Sequence, residues 1–469
     1  MSVDARSARR AWHDAERSVF WLDRPDAPSA CPPLEGSAQA DLAIVGGGFT
    51  GLWAALQAKE DDPDREVTLL EAETVAFGGS GRNGGFCMRT LTHGIPNGLR
   101  RFPRELVAIE AEAASSFEGL RDTVRRHAIE CDWTESGEMA VAREPHEVAW
   151  AHEEVEQLRT FGYDAVVLDR DEVRAEVDSP TYLAGAWDRS GCVMVDPARL
   201  AWGLRRAALE LGVRIRERTP VTALARDGAA LRLATPGGVL RAPRVVVGTN
   251  AFPPLLPEIR RYVVPVYDHV LVTEPLSAAQ WDAVGWERRQ GLADMANRFH
   301  YYRRTADGRI LWGGYDAVYH WRGRVDPAFE DRPRTFDALS AHFFQTFPQL
   351  EGLRFTHRWA GVIDTCSRFS VFFGRAFDGA LAYAAGYTGM GVGATRFGAR
   401  VALDLVDGLD TPRTRLALAR TKPVPFPPEP LRSAGIAITV RALARADRRQ
   451  GRRGPWLRLL DAAGLGFDS

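Results

Sequence analysis

The clearest hydrophobic pattern near the start of the chain is a short apolar run that ends in glycines. Residues 41–45 (DLAIV) form this run, which is typical of a strand buried on both faces of a parallel sheet. A helical stretch at 52–59 follows, and after an acidic loop comes a second apolar run at 66–70 (EVTLL). Strand, helix and strand within about 30 residues predict a βαβ unit.

Later regions differ in pattern. Residues 101–178 predict mainly helices, and residues 259–358 predict strands, including a hairpin that turns at Asp307-Gly308. Between them, alternating apolar positions with a turn at Asp227-Gly228 predict a β-meander. A late strand at 380–385 leads through further glycines into a helix, so strand–helix units are expected at both ends of the chain.

The glycines after the first strand fit the pattern GxGxxG. Gly46 permits a tight turn, Gly48 lets the backbone approach a pyrophosphate, and Gly51 lets helix and strand pack closely. The helix that follows offers free N–H groups and the positive end of its dipole to phosphates. Glu71 ends the second strand, where its carboxylate can accept hydrogen bonds from a ribose diol. The unit is therefore predicted to bind a dinucleotide.

Two further glycine-rich segments favour FAD over NAD. Residues 80–85 (SGRNGG) lie just beyond the second strand, and residues 386–392 (GYTGMGV) again join a strand to a helix. A second helix N-terminus suits the edge of a flavin ring, where reduction places negative charge. NAD needs no such site, because its nicotinamide loses positive charge on reduction.

These motifs, taken in order, resemble the D-amino-acid oxidase superfamily of FAD-dependent oxidoreductases. The resemblance spans about residues 12–412 and rests on GGGFTGL, LLEAETVAFGGSGRNGGF, RVVVGTNA, YYRRTADGRILWGG and YAAGYTGMGV. Within the superfamily, the SGRNGG loop resembles the gamma-glutamylputrescine oxidase branch. The resemblance implies that FAD lies along Gly46, Gly48, Phe49, Thr50, Gly51, Glu71, Ser80, Arg82, Asn83, Gly84, Val221, Thr249, Gly389, Met390, Gly391 and Val392.

The length of 469 residues suits two domains. We predict an α/β protein in which a doubly wound, Rossmann-type FAD-binding domain is interleaved with an α+β substrate domain. The predicted segments are a leader at 1–40, the FAD-binding domain at 41–100, 180–258 and 359–412, the substrate domain at 101–179 and 259–358, and a tail at 413–469.

The resemblance places the substrate pocket between the sheet of the second domain and the segment before the last strands. The catalytic candidates there are His300, Tyr301, Trp359 and Tyr387, and further wall candidates are Tyr302, Arg304 and Trp312. Aromatic walls can hold an amine by cation–π contact, and an arginine can pair with a carboxylate. Each of these residues is also compatible with ordinary packing of a sheet.

Two features of the sarcosine-oxidase relatives are missing from this chain. Those relatives attach flavin through a cysteine at a position that falls near Gly361, and Cys366 lies a few residues away, so non-covalent FAD is predicted. They also use a lysine over the flavin to promote reaction with oxygen. Lys59 and Lys422 are the only lysines of the chain, and neither fits that position. Molecular oxygen and another electron acceptor therefore both stay open.

Composition narrows the remaining possibilities. A net charge of -1 provides no global field that would hold nucleic acid or an anionic membrane. The five cysteines are scattered without a CxxC pair, so neither a disulfide framework nor a metal site is expected. Residues 1–24 lack the apolar core of a signal peptide, and no apolar run is long enough for a membrane span. We expect a soluble cytoplasmic protein and leave its oligomeric state open.

The sequence thus predicts an FAD-dependent oxidoreductase that oxidises a C–N bond of an amine or amino acid, polyamine derivatives included. Hydride transfer to flavin N5 would give an imine that water hydrolyses, with the cofactor carrying the difficult chemistry. One alternative is a flavin dehydrogenase that passes electrons to an acceptor other than oxygen. Another is a flavin-binding protein without turnover, which turnover with any amine would exclude.

Overall fold

The structure is a computed structural model that describes residues 5–466. Its strands are β1 (Gly36–Gln39), β2 (Leu42–Val45), β3 (Val67–Leu70), β4 (Phe86–Met88), β5 (Glu138–Ala142), β6 (Ala165–Leu168), β7 (Ala184–Asp188), β8 (Cys192–Met194), β9 (Arg214–Arg216), β10 (Ala223–Asp227), β11 (Ala230–Ala234), β12 (Gly238–Ala242), β13 (Arg244–Val247), β14 (Val264–Thr273), β15 (Gly291–Asp294), β16 (His300–Arg304), β17 (Ile310–Gly314), β18 (Phe355–Thr365), β19 (Phe372–Ala376) and β20 (Leu381–Ala385).

The α-helices connect and cover these strands. They are α1 (Ala5–Trp12), α2 (Phe49–Asp61), α3 (Gly79–Arg82), α4 (Ile95–Arg101), α5 (Leu106–Arg126), α6 (Glu147–Thr160), α7 (Arg170–Glu176), α8 (Pro197–Glu210), α9 (Ala278–Val284), α10 (Pro333–Thr346), α11 (Gly391–Val406), α12 (Pro412–Arg415), α13 (Ala417–Arg420), α14 (Leu431–Asp447) and α15 (Pro455–Ala462). No helix within residues 5–466 combines the length and the apolar character needed to cross a bilayer.

A six-stranded sheet in the order β19-β20-β13-β2-β3-β9 contains the predicted βαβ unit. All neighbouring strands run parallel except β19, which is antiparallel to β20. Leu42 and Ile44 of β2 pack with α2, α8 and α11, whereas Ala43 and Val45 pack with the β-meander on the opposite face. Because both faces are covered, the strands read as continuous apolar runs rather than alternating ones.

The β-meander predicted from residues 213–250 is confirmed as part of a four-stranded sheet. Strands β10, β11 and β12 are antiparallel neighbours, and Gly228 makes the first turn with a φ of +63°. Strand β1, from the leader, adds to the edge of this sheet in parallel with β12. The leader therefore contributes backbone pairing as well as aromatic anchors.

An eight-stranded sheet in the order β18-β14-β17-β16-β15-β5-β7-β6 forms the second half of the molecule. The predicted hairpin at Asp307-Gly308 is confirmed as β16 and β17. The prediction of mainly helices for 101–178 is correct for α5, α6 and α7 but missed β5 and β6. Their four or five residues are too short to show a strand period, and each is flanked by strongly helical segments.

This eight-stranded sheet also differs from the predicted domain segments. Strands β7 and β18 belong to it, although β7 and most of β18 lie in segments predicted for the FAD-binding domain. Strand β18 pairs along the whole of β14, and such long-range antiparallel pairing leaves no local signal in the sequence. On one face of the sheet, aromatic side chains pack against α10 and its neighbours. The opposite face borders the cavity described below.

The two ends of the chain lie against this body. In the leader, the Trp12 indole donates to Asp337 (3.0 Å) and the Trp21 indole donates to the Asn83 carbonyl (2.9 Å). In the tail, α14 and α15 pack on each other, and the Trp456 indole donates to Thr439 Oγ1 (2.9 Å). The Asn297 side chain also donates to Asp447 of α14 (2.6 Å), so the leader and the tail both contact segments that line the cavity described below.

Candidate active site

A cavity of about 1200 Å³ lies where the six-stranded sheet, the eight-stranded sheet and the C-terminal tail meet. Sites for one small ligand typically measure about 300–1,000 Å³. The cavity is therefore large enough for a dinucleotide cofactor and a separate substrate.

The first glycine loop borders the cavity between β2 and α2. Gly46 has a φ of +110°, and a Cβ there would lie 2.5 Å from the carbonyl oxygen of Gly248. A Cβ on Gly48, the N-cap of α2, would lie 2.9 Å from Ser80 Oγ. At Gly51 a Cβ would lie 1.9 Å from the Gly46 carbonyl oxygen, so only glycine fits. The loop leaves the backbone at the start of α2 open to a phosphate.

Glu71 lies beside this loop at the end of β3. Its Oε2 accepts a hydrogen bond from the Gly47 N–H (2.5 Å), and its Oε1 accepts one from the Glu73 N–H (2.9 Å). Burial raises the pKa of Glu71, and the two N–H groups oppose this shift. Its carboxylate lines the cavity, as a ribose-binding acid would.

The SGRNGG loop carries its own hydrogen-bond network. Ser80 Oγ accepts from the Phe49 N–H (2.9 Å), which joins this loop to the first turn of α2. The Asn83 amide donates to the carbonyl oxygens of Gly79 (3.0 Å) and Ser80 (2.9 Å), and its Oδ1 accepts from the Gly85 N–H (2.8 Å). Asn83 therefore shapes the loop through its own hydrogen bonds.

The second glycine motif meets the first across the cavity. Gly389 has a φ of +91°, and α11 begins at Gly391 without a side-chain cap. The Asp364 carboxylate accepts a hydrogen bond from the Gly386 N–H (2.6 Å), which holds the loop before α11 in place. The Thr50 hydroxyl donates to the Tyr387 hydroxyl (3.1 Å), so α2 and α11 present their N-terminal ends to one cavity. The N-terminus of α11 has no side-chain cap, and at that of α2 Ser80 takes the Phe49 N–H, so both ends suit the two charged regions of FAD.

The structure brings nearly all the residues expected to contact FAD to this cavity. Gly51 is the exception, because it lies where α2 packs against β2 and not in the cavity wall. The residues that do line the cavity are Gly46, Gly48, Phe49, Thr50, Glu71, Ser80, Arg82, Asn83, Gly84, Val221, Thr249, Gly389, Met390, Gly391 and Val392.

On the side of the eight-stranded sheet, Tyr301 and Asp268 form a polar pair in the cavity wall. The Tyr301 hydroxyl donates to Asp268 Oδ2 (2.5 Å). Burial raises the pKa of Asp268 to about 6, against hydrogen bonds from Tyr301 and from the backbone N–H groups of Gly314 and His269. Sequence analysis missed Asp268, since nothing distinguishes it in the sequence from its polar neighbours Tyr267 and His269 in the same strand.

Small residues surround this pair on the same sheet. Gly361 of β18 pairs with Asp268, and Ala293 and Gly313 flank Tyr301 in register. A Cβ at Gly313 would lie 2.6 Å from the Tyr301 ring, and so would one at Gly84 in the loop opposite. Tyr301 is thus clamped between two glycines, and the small residues leave space in front of the Asp268 carboxylate.

Arginines that line the cavity are already engaged by the protein. Within residues 5–466 there are four of them, and their acceptors are Glu330 for Arg82 (2.6 Å), Asp316 for Arg298 (2.5 Å), the Pro427 carbonyl for Arg432 (3.1 Å) and Asp461 for Arg453 (2.8 Å). Burial, with Glu154 and Asp188 nearby, raises the pKa of Glu138 to about 8, so this lining carboxyl is neutral at pH 7. No described cation neutralises Asp268.

Two of the four catalytic candidates, Tyr301 and Tyr387, line the cavity, and two do not. The His300 ring is buried between Asp294 (2.5 Å) and His342 (3.0 Å) on the far face of the sheet. The Trp359 indole is also buried and donates to the Arg82 carbonyl (2.9 Å). Adjacent residues of a strand point to opposite faces, so His300 and Tyr301 cannot share one pocket wall.

The further wall candidates follow the same alternation. Tyr302 and Trp312 lie in the aromatic core against α10. Arg304 lies over the Trp281 ring at 4.1 Å and donates to the Trp286 carbonyl (3.1 Å). The expectation that Arg304 faces a substrate carboxylate is therefore wrong, because this arginine is on the face turned away from the cavity.

Among the described residues, neither lysine and none of the cysteines lines the cavity. Lys59 ends α2 and donates to the Pro63 and Arg65 carbonyls, while Lys422 lies near Glu258. The Cys366 thiol is buried and donates to the Ser370 carbonyl (3.2 Å). The group of potential metal ligands found in residues 5–466, Glu16, Asp23 and His357, lies outside the cavity lining.

Comparison with known proteins agrees with this geometry. The family described as DAO, FAD dependent oxidoreductase, matches residues 41–405. Gamma-glutamylputrescine oxidoreductase of Escherichia coli is 32% identical over 401 residues, covering 84% of this chain and 89% of that protein. A probable oxidoreductase, OrdL, of Haemophilus influenzae is 28% identical over 407 residues, covering 85% and 90%. The crystal structure of glycine oxidase from Geobacillus kaustophilus aligns with a TM-score of 0.67 at 20% identity, covering 80% of this chain and 96% of that one. This chain belongs to the DAO family of FAD-dependent oxidoreductases.

Proposed function

We propose that this protein oxidises the C–N bond of an amine to an imine, which water hydrolyses to a carbonyl compound. When bound, FAD supplies a two-electron acceptor for the hydride that leaves the carbon next to nitrogen. The observation that carries the proposal is the Asp268–Tyr301 pair, which shares one cavity with both glycine motifs. The E. coli relative is named for an amine of this kind, gamma-glutamylputrescine.

One part of the cavity wall suits the cofactor, and another part suits the substrate. We propose that Gly46, Gly48, Glu71 and the start of α2 hold the ADP half of the cofactor. The SGRNGG loop, with Arg82, Asn83 and Gly84, would hold the centre, and Gly389–Val392 the pyrimidine edge. The uncapped start of α11 would stabilise negative charge there, an effect of about 0.3–2 kcal/mol.

At the substrate end the protein's task is to bind and orient an amine. The Asp268 carboxylate accepts hydrogen bonds from the substrate nitrogen, and the Tyr301 hydroxyl fixes that carboxylate in place. An ammonium ion can pair with the Asp268 carboxylate, and transfer of one proton to that carboxylate leaves the nitrogen lone pair that departure of the α-hydride requires. An α-amino acid would also need a partner for its carboxylate, and the lining arginines of residues 5–466 are engaged by protein acceptors.

The substrate proposal is tested by anaerobic bleaching of the flavin. Primary amines, gamma-glutamylputrescine included, should reduce the enzyme faster than glycine, sarcosine or D-alanine. We expect a difference of about 5- to 150-fold, because an unpaired carboxylate in the cavity costs about 1–3 kcal/mol or more. Bleaching by α-amino acids alone would overturn the amine assignment, and bleaching by no C–N compound would overturn the proposed reaction.

A flavin dehydrogenase that uses an acceptor other than oxygen is a second candidate, favoured by the lack of a lysine in the described cavity lining. A cation about 4 Å from nascent superoxide, at an effective dielectric constant of about 20, is worth about 4 kcal/mol. His93 lines the cavity, but burial lowers its pKa, and burial also lowers the pKa values of His300 and His357.

We therefore expect slow reoxidation of the pre-reduced enzyme by oxygen in stopped flow, near the rate of free flavin. A small artificial acceptor such as ferricenium should reoxidise it quickly, which serves as the control for access to the reduced cofactor. Fast reaction with oxygen would contradict the dehydrogenase assignment and require a cation at the flavin, with Arg82 the first position to test.

FAD is expected to be released on denaturation. None of the described cysteines lines the cavity, and Gly361 occupies the strand position near which relatives carry the attachment cysteine. Heat or acid should leave a yellow supernatant whose absorbance accounts for the flavin of the native enzyme. Flavin that stays with the precipitated protein would show a covalent bond to another residue.

A further inference from the structure

The C-terminal tail forms part of the cavity wall although it lies outside residues 41–405, the region matched by the family. Helices α14 and α15 supply mainly apolar side chains to this wall. They include Ile436, Val440, Leu443, Trp456, Leu457 and Leu460. We call α14, α15 and the loop between them the C-terminal hairpin.

Polar contacts fix the C-terminal hairpin to the body near its ends. Tyr319 donates to Glu429 (2.7 Å) just before α14, and the Asn297 side chain donates to Asp447 (2.6 Å) at the end of α14. Arg101 donates to the Gly464 carbonyl (2.8 Å) just after α15. These contacts hold the hairpin in one position over the cavity.

The apolar side of the hairpin is covered only in part by protein. Within α14, Ala446 is the one buried residue among those described, whereas Ile436, Val440 and Leu443 stay half-buried at the cavity. The two arginines that the hairpin contributes to the lining, Arg432 and Arg453, are held by the Pro427 carbonyl and by Asp461. This end of the cavity therefore offers mainly apolar contact.

We propose that the C-terminal hairpin forms a binding subsite for an apolar substituent of the substrate. The inference rests on the proposed amine oxidation, in which Asp268 holds the nitrogen in the same cavity. An anionic group and an apolar wall in one cavity fit an alkylamine or arylalkylamine. Gamma-glutamylputrescine, whose distal end is zwitterionic, fits this wall less well.

A series of n-alkylguanidinium ions tests the subsite without turnover. The guanidinium lone pairs are delocalised and do not assist loss of an α-hydrogen, so butyl, hexyl and octyl compounds act as probes of binding. Calorimetry on the oxidised holoenzyme should show a dissociation constant that falls about three- to fourfold per added methylene, the transfer value of a buried CH₂. A dissociation constant that does not change with chain length would overturn the proposal.

Two neighbouring residues of α15 provide a matched pair of variants. Leu460 lines the cavity, whereas Leu459 is 60% exposed and lies outside the lining. Leu460→Asn should weaken binding of octylguanidinium at least about tenfold and butylguanidinium much less. Leu459→Asn should leave both dissociation constants unchanged. FAD content and the unfolding transition of each variant verify that the hairpin remains folded.

The outcomes separate this inference from the proposed function. A chain-length gradient that Leu460→Asn flattens supports the subsite, even if no amine bleaches the flavin. Amines that bleach the flavin with affinities independent of chain length support the reaction and overturn the subsite. A gradient that survives Leu460→Asn unchanged also overturns the subsite, because the alkyl chain then lies elsewhere.

Discussion

Asp268→Asn is expected to lower kcat/KM for the best amine substrate by a factor of about 30 to several thousand. Loss of one partner of a buried charge pair costs about 2–5 kcal/mol. The amide keeps the shape of the carboxyl group and can still accept the Tyr301 hydrogen bond, so the change removes mainly the charge. Steady-state kinetics with one amine, at matched FAD content, measures the loss.

The pH profile gives this prediction a second readout. The pKa of Asp268 is raised from 3.8 to about 6, so kcat/KM of the native enzyme should rise with pH through about 6 as the carboxylate forms. Folding raises this pKa, and the stability of the folded state therefore falls as pH rises from about 4 to about 6. Asp268→Asn should lose the acidic limb and be at least as stable as the native chain at pH 7.

Asp337→Asn is the matched control for Asp268→Asn. Asp337 accepts the Trp12 indole N–H on α10, outside the cavity lining, and an asparagine oxygen can accept it equally. We expect unchanged kcat/KM and an unchanged acidic limb. If Asp268→Asn keeps full kcat/KM and the same pH profile, Asp268 does not bind the amine.

Gly51→Ala is expected to yield protein without bound FAD and with a lowered midpoint of thermal unfolding. The added Cβ would lie 1.9 Å from the Gly46 carbonyl oxygen and 3.2 Å from Ile44 Cγ2. Overpacking typically costs about 1–3 kcal/mol, and here a backbone atom is in the way, so we expect the upper end of that range. Relief of the clash must displace the loop that borders the cofactor cradle.

Gly454→Ala serves as the comparison for Gly51→Ala. A Cβ at Gly454, the N-cap of α15, meets no atom within 4 Å, and Gly454 lies outside the cavity lining. The alanine should lower stability by no more than about 1 kcal/mol, as a poorer N-cap residue, and leave FAD content unchanged. Flavin absorbance of the purified proteins and thermal unfolding distinguish the two variants. A Gly51→Ala protein with full FAD content would show that the loop adapts to the added methyl group.

The cofactor half of the site could be predicted because its geometry is local in sequence. Gly46, Gly48 and Gly51 lie within one turn between a strand and a helix, and Glu71 closes the next strand. In such a unit the backbone conformation itself binds the ligand, so the residue types that allow it are visible in the chain. The SGRNGG loop and the start of α11 could be predicted for the same reason, and both line the same cavity.

The substrate half could be predicted only in outline. The period of a strand shows that His300 and Tyr301 face opposite ways, but not which face meets the cavity. Asp268 lies between Tyr267 and His269 in a long strand, and only pairing of β14 with β18 brings it opposite Gly361 in the cavity wall. The sequence also did not predict that the C-terminal hairpin lines the cavity, because the other residues of the cavity wall lie far away in the sequence.

Segments of the six-stranded and eight-stranded sheets alternate along the chain, and this order determines when the active site can form during synthesis. The path passes from β3 to β5, from β7 to β9, from β13 to β14 and from β18 to β19, so neither large sheet is complete until late in the chain. The hydrogen bond between Thr50 and Tyr387, which joins the two helix N-termini, spans 337 positions. A ribosome must therefore deliver almost the whole family-matched region before both glycine motifs can contact FAD, and the stabilisation that a ligand gives by mass action begins only then.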